Sequence, residues 1–121
     1  MARADIINYK GRDIFYMDFS NLKTKEEINA VMVESVNFIR NKPEKSITAL
    51  TNMTNMHFNN EVKDLFSDFL KGNKPHIKIS SVFGMSGLAR ILFNGLMKIT
   101  GRDVRSFEKE TEAKDFLISN S

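Results

Sequence analysis

The sequence has no cysteine, and this absence excludes three kinds of chemistry at once: disulfide bonds, thiolate metal sites and a cysteine nucleophile. It also favours a reducing compartment. The two histidines, His57 and His76, have no partner histidine at helical or hairpin spacing, so no metal site is predicted.

Long apolar stretches are also absent. No run reaches the roughly 18 apolar residues that a transmembrane helix needs, so the sequence predicts no transmembrane segment. The stretch from Met1 to Lys10 carries no apolar region typical of a signal peptide. We therefore expect a cytoplasmic protein.

The chain has 121 residues, which is a common length for one domain and long enough to bury a core without disulfide or metal support. Only two prolines interrupt it, and no internal repeat is present. Residues 1–121 are therefore interpreted as a single domain.

Two short runs rich in β-branched and aromatic residues, 5–9 and 13–19, flank a turn at residues 10–12 and predict a hairpin. After it, helical and strand patterns alternate. Helices are predicted at 24–41, 59–71, 86–99 and 110–118, and strands at 46–53, 77–83 and 104–107. The order β-β-α-β-α-β-α-β-α predicts an α/β fold, with four helices on a mixed, mainly parallel sheet of about five strands.

Basic residues are concentrated in one segment. The stretch from residue 71 to residue 105 has seven basic residues and one acidic residue, Asp103, whereas the whole chain has a net charge of +3. Such one-sided charge favours an anionic partner, although a solvated basic surface without a ligand is the plain alternative. The seven are Lys71, Lys74, Lys78, Arg90, Lys98, Arg102 and Arg105.

Short motifs along nearly the whole chain resemble a known family. They are Tyr9–Arg12, Tyr16–Ser20, Leu50–Thr54, Asn73–Lys78, Val82–Leu88, Thr100–Arg102, Phe107 and Glu112–Leu117. In order and spacing the chain is similar to the STAS family, which has the fold of the anti-sigma-factor antagonists, and within it to the SpoIIAA-like or STAS/SEC14-like branch. The resemblance implies a STAS-like fold and a binding or regulatory module without a catalytic centre.

The resemblance also locates a regulatory position. Regulatory members of the family carry a phosphorylatable serine at the start of the second helix. Here that position holds Asn59 and Asn60, and neither side chain can accept a phosphate. The resemblance therefore implies a module that lacks the usual phosphorylation switch.

The turn from Gly84 to Gly87 superficially resembles a nucleophile elbow. That motif is G-x-S-x-G, and here the second glycine comes one residue early. Ser86 is better explained as the N-cap of the third helix, with Gly84 and Gly87 relieving a tight turn. We therefore predict no catalytic residues, no enzymatic activity and no cofactor.

The same turn is a candidate anion site, because backbone N–H groups at the start of a helix favour anions. Neither a Walker motif nor G-x-G-x-x-G is present, so a nucleotide or phosphate is only a hypothesis. The candidate residues are Gly84, Ser86, Gly87, Arg90 and Arg102.

The third helix is apolar over more than one face. Apolar residues at helical spacing predict a core stripe of Leu88, Ile91, Leu92, Leu96 and Ile99. Phe93 and Met97 then form a second apolar edge beside Lys98, which we interpret as a partner interface. Three alternatives remain for what covers this edge: the last helix, a partner subunit or a lipid surface.

These observations lead to two functional hypotheses. The first is a non-enzymatic STAS-like regulatory module that acts through protein–protein contact, with homodimerisation through the third helix as one form. The second is a carrier or sensor of a small lipid-like or anionic ligand, including one at a membrane surface. Nucleic acid is not an expected partner, because neither a recognition helix nor aromatic–basic alternation is present.

Overall fold

The computed structural model describes residues 2–120 and contains a five-stranded sheet with four helices. The predicted order is confirmed, and the bounds agree to within two residues. The strands are β1 (Ala4–Tyr9), β2 (Arg12–Asp18), β3 (Ile47–Asn52), β4 (Ile77–Phe83) and β5 (Val104–Phe107). The helices are α1 (Lys25–Ile39), α2 (Asn60–Asn73), α3 (Gly87–Thr100) and α4 (Glu110–Ser119).

The sheet is mixed, as predicted. Strands β1 and β2 form an antiparallel hairpin in which Tyr9 pairs with Arg12. The two turn residues, Lys10 and Gly11, both have positive φ values, of 49° and 83°, as a two-residue hairpin turn that follows the strand twist requires. All other strand pairs are parallel.

The strands lie in the sheet in the same order as in the chain. Because parallel crossovers are right-handed, a chain that always moves to the next strand in one direction leaves its crossover helices on one face. Helices α1, α2 and α3 therefore cover one face, and α4 packs on β3, β4 and β5 from the other. The larger core, under α1 to α3, includes Phe15, Phe66, Val82, Phe93 and Leu96. The smaller core, under α4, consists of Ile14, Leu50, Phe83, Ala113 and Leu117.

A β-bulge lies at the start of β4. Ile47 pairs with Ile77 and Thr48 pairs with Ile79, so Lys78 is an extra residue in the ladder. The bulge changes which face the side chains point to: Ile77 packs against the larger core and Ile79 against the smaller one, although they are two residues apart. Lys78 is exposed at this end of the sheet.

Side-chain hydrogen bonds cap the first turns of α1 and α3. Thr24 accepts a hydrogen bond from the backbone N–H of Glu27 at 3.1 Å, and Glu27 accepts one from the backbone N–H of Thr24 at 3.1 Å. The backbone N–H groups of Lys23 and Thr24 hold the pKa of Glu27 below its usual value. The hydroxyl of Ser86 accepts from the backbone N–H of Ala89 at 3.2 Å, which confirms Ser86 as the cap of α3.

Gly84 lies where two loops approach each other. Its φ is +83°, and a Cβ atom at this position would lie 2.9 Å from both the backbone N and the Cα of Thr54. Only glycine satisfies both the dihedral angle and the spacing, so the glycine of the apparent elbow has a structural reason to be there.

We expect Gly84→Ala to destabilise the fold by at least about 2 kcal/mol, because a left-handed conformation and a backbone clash are combined. Gly11→Ala is the matched control, since Gly11 has the same φ and no atom within 4 Å of its Cβ position. The control should cost only about 1 kcal/mol. Urea unfolding of both variants measures the difference, and equal losses would show that the Thr54 contact is unimportant.

Candidate functional site

The orientation of α3 differs from the predicted one. Phe93, which we had assigned to an exposed interface edge, is only 2% exposed and lies in the larger core. Met97 is half-buried, and its sulfur accepts a hydrogen bond from the backbone N–H of Val104 at 3.3 Å. Of the predicted interface residues Phe93, Met97 and Lys98, only Lys98 is exposed.

Of the five residues in the predicted core stripe of α3, Leu96 is buried as predicted and Leu92 packs half-buried against the larger core. The other three are exposed. Leu88, Ile91 and Ile99 are 62%, 69% and 59% exposed, which is more than any other large apolar side chain described. With Gly95 they follow one another at intervals of three or four residues, so they form one continuous stripe. We call Leu88, Ile91, Gly95 and Ile99 the outer face of α3.

The error has a physical cause. The buried side of α3 consists of Ala89, Phe93, Leu96 and Thr100, two of which are small or polar. Thr100 is satisfied there by donating its hydroxyl proton to the carbonyl of Leu96 at 2.6 Å. A hydrophobicity pattern predicts that the more apolar of two stripes is buried. In the folded protein the buried stripe is the one whose small residues let the helix approach the sheet closely.

The last helix does not cover α3. Helix α4 packs on β3, β4 and β5 from the opposite face of the sheet, so this predicted covering is wrong. Within residues 2–120, the outer face of α3 therefore has no covering element.

The surroundings of the outer face are basic. Helix α3 contains Arg90 and Lys98 and no acidic residue. Leu65 and Phe69 of α2 line a groove shared with α1, so helical spacing places the opposite side of α2, with Lys63, Asp64 and Lys71, nearer to α3. The charged residues on the two sides of the apolar stripe are therefore mainly basic.

The predicted anion-binding residues do not come together. Gly84, Ser86 and Gly87 lie at the start of α3, whereas Arg102 follows its end, about 20 Å away for a helix of 14 residues. Arg90 is partly buried, and its Nε has no hydrogen-bond partner among the described residues.

The start of α2 is the position at which the resemblance implied a phosphorylatable serine in regulatory proteins, and here it carries Asn59 and Asn60. Asn59 is the N-cap, and its Oδ1 accepts a hydrogen bond from the backbone N–H of Val62 at 2.9 Å. Asn60 is the first residue of the helix, and both side chains are exposed. The position is therefore accessible, but its residues serve as an ordinary helix start.

A basic pocket lies at the other end of the sheet. It has a volume of about 410 Å³ and lies beside the amino ends of β4 and β5 and the end of α3. Its only acidic residue among the described lining residues, Asp103, already pairs with Arg105, at 2.9 Å between Oδ1 and Nε. The basic lining residues are Lys45, Lys74, Lys78, Arg102 and Arg105.

Arg102 anchors this pocket. Its guanidinium donates to the carbonyl of Leu70 at 3.1 Å and to the hydroxyl of Ser80 at 2.9 Å. Burial lowers the pKa of Arg102 to about 10, so the side chain is still charged at neutral pH.

The sequence indicated part of this pocket. Lys74, Lys78, Arg102 and Arg105 belong to the basic segment, but the charge count did not group them into a site. Lys45 was missed, since it comes from the loop before β3 and joins the others only through the β3–β4 pairing.

The described residues contain neither a metal-binding cluster nor a membrane-spanning helix. Among residues 2–120, no three histidine, aspartate or glutamate side chains are grouped so that they could hold a metal ion. None of the helices in that range is both long and apolar enough to cross a bilayer.

Comparisons with known proteins add information on the fold. No family model matches the sequence, and no curated protein matches it. Among solved structures, the chain is similar to an uncharacterised protein of the DUF3478 family with a SpoIIAA-like fold from Shewanella loihica PV-4. The TM-score is 0.66 at 16% sequence identity, with 94% of this chain and 91% of the other covered. The chain therefore has the SpoIIAA-like α/β fold that the resemblance implied.

Proposed function

We propose that this chain is a non-enzymatic STAS-like interaction module that docks a protein partner on the outer face of α3. The observation that carries the proposal is the uncovered stripe of Leu88, Ile91 and Ile99, each at least 59% exposed. Contiguous apolar residues on a surface are typical of interaction sites.

The charges around the stripe favour an acidic partner over a second copy. In a symmetric dimer the same surface meets itself, so Lys98 and its basic neighbours would approach one another. A partner helix with an apolar stripe flanked by aspartate and glutamate would match both the apolar residues and the charges.

The missing side chain at Gly95 gives the outer face of α3 a shape that suits a partner helix. Gly95 is exposed in the middle of α3, and a Cβ atom there would have no protein atom within 4 Å. A glycine in a helix interior costs about 0.5–1 kcal/mol relative to alanine, and no contact within residues 2–120 requires it. It leaves a notch between Ile91 and Ile99 that a side chain of a partner helix would fill.

The arrangement of the glycine turn supports a module without enzymatic activity. The one serine of the apparent elbow, Ser86, uses its hydroxyl to cap α3. The exposed position that regulates family members carries Asn59 and Asn60, so we propose that binding here is not controlled by phosphorylation at that point.

We expect Ile91→Asp to weaken partner binding by about 2 kcal/mol or more, because it places a charge in the centre of an apolar contact. The fold should remain intact, since Ile91 is 69% exposed. The matched control is Val33→Asp on α1, where valine is 53% exposed but lies away from α3. Affinity capture from native cells, followed by binding measurements with the purified partner, compares the variants. Equal binding by both variants would contradict the proposal.

Gly95→Ala separates binding from stability. We expect this variant to be about 0.5–1 kcal/mol more stable to urea, because alanine favours the helix. It should nevertheless bind the partner more weakly, because the added methyl group fills the notch. A more stable variant with unchanged affinity would exclude a close helix contact at Gly95.

The choice of a protein partner has its own test in the wild-type protein. Binding only to anionic vesicles, or self-association without another protein, would overturn that choice.

A further inference from the structure

The basic pocket beside β4 and β5 brings together cations from three separate parts of the chain. From it we infer a second binding site, for a small molecule that carries two or more phosphate charges. This inference does not rest on the proposed function, because the pocket and the outer face of α3 consist of different residues.

The charge of the pocket is not compensated within the described chain. Arg105 has its carboxylate partner, but Lys45, Lys74, Lys78 and Arg102 form no ion pair with any residue between 2 and 120. Arg102 is also largely removed from water, and its two partners are neutral oxygens. Lys45, Lys74 and Lys78 are exposed and line one cavity with Arg102, so an anion that enters it would be attracted by all four cations.

Two local features shape the pocket around these cations. The bulge makes Lys78 the extra residue of β4, and bulges commonly redirect a side chain at a binding site. Gly101, at the end of α3, lacks a side chain where the ammonium of Lys74 lies; a Cβ there would be 2.8 Å from Nζ. Both lysines are thereby brought to the same cavity as Arg102.

The floor of the pocket is an open strand edge. Strand β5 pairs with β4 only from Ser80 onward, where Ser80 lies opposite Val104. The first three residues of β4, 77–79, therefore have no strand beside them on that side. A ligand in this space would contact backbone polar groups as well as the cations, as phosphate-binding loops do.

The chemistry of the lining favours phosphate. Lysine ammonium groups act as point charges and arginine guanidinium groups as forked donors, and together they match the several oxygens of a phosphate. Phe116 forms part of the wall, with the Arg105 guanidinium 5.8 Å from its ring centre, so a ligand with an apolar or planar body would also find a contact. A soluble phosphate ester and a lipid headgroup share this chemistry.

The test uses inorganic pyrophosphate as the probe, with calorimetry for affinity and amide chemical shifts for location. We expect binding that weakens with added salt, with the largest shifts at Lys78 and Gly101. The double variant Lys74→Gln with Lys78→Gln should weaken binding about 100-fold, at roughly tenfold for each charged hydrogen-bonding group removed. Both lysines are exposed, so the fold should persist, and thermal unfolding checks this.

The matched control removes two charges elsewhere: Lys23→Gln with Lys25→Gln, both exposed and outside the pocket. Equal loss of binding in both double variants would overturn the inference, because diffuse surface charge would then explain it. Failure of the wild-type protein to bind either millimolar pyrophosphate or vesicles that contain phosphatidic acid, whose phosphomonoester carries up to two charges, would also overturn it. Pocket-dependent binding to these vesicles but not to pyrophosphate would support the site and identify a lipid headgroup as the source.

Discussion

The right-handed crossover is the constraint on which the rest of the structure depends. Because the strands follow chain order across the sheet, α1, α2 and α3 lie on one face, and the chain finishes at β5 with α4 on the other. Helix α3 is thus the last of three, with a helix on only one of its sides. Both candidate surfaces follow from this position at the edge of the domain.

The short length of the last strand determines where the basic pocket forms. Strand β5 has four residues beside a β4 of seven, so the start of β4 stays open and the basic pocket forms there. The outer face of α3 and the pocket meet near the end of the same helix, where Ile99 precedes Gly101 and Arg102. They remain distinct in chemistry, since one is an apolar stripe with basic flanks and the other is a basic cavity.

Most of the fold could be predicted from the sequence, because local signals agreed with the tertiary structure. The capping residues Thr24 and Ser86 mark helix starts, and the Lys10–Gly11 turn marks the hairpin. The alternation of strands and helices then predicts parallel pairing with few alternatives. The same signals explained Gly84 and Ser86 as structural residues, which removed the apparent nucleophile elbow.

The site was predicted less well, because its features depend on packing that a single sequence does not specify. Two apolar stripes run along α3, and the choice between Ile91 and Phe93 as the buried residue depends on how closely the helix approaches the sheet. The pocket depends on a bulge at Lys78 and on Lys45 from a distant loop. The charge count indicated an anionic partner, but only the three-dimensional arrangement separates the pocket from the flanks of α3.

The most direct test of partner docking on the outer face of α3 is site-specific photo-crosslinking in native cells from a photoreactive residue at position 94. Asn94 is exposed, three residues after Ile91 and four before Lys98; the same group at the exposed Asn37 of α1 is the control. We expect position 94, and not position 37, to crosslink to one other protein, in a segment with an acidic amphipathic helix. Products that join two copies of this chain, products with lipid alone, or the same products from both positions would contradict this expectation.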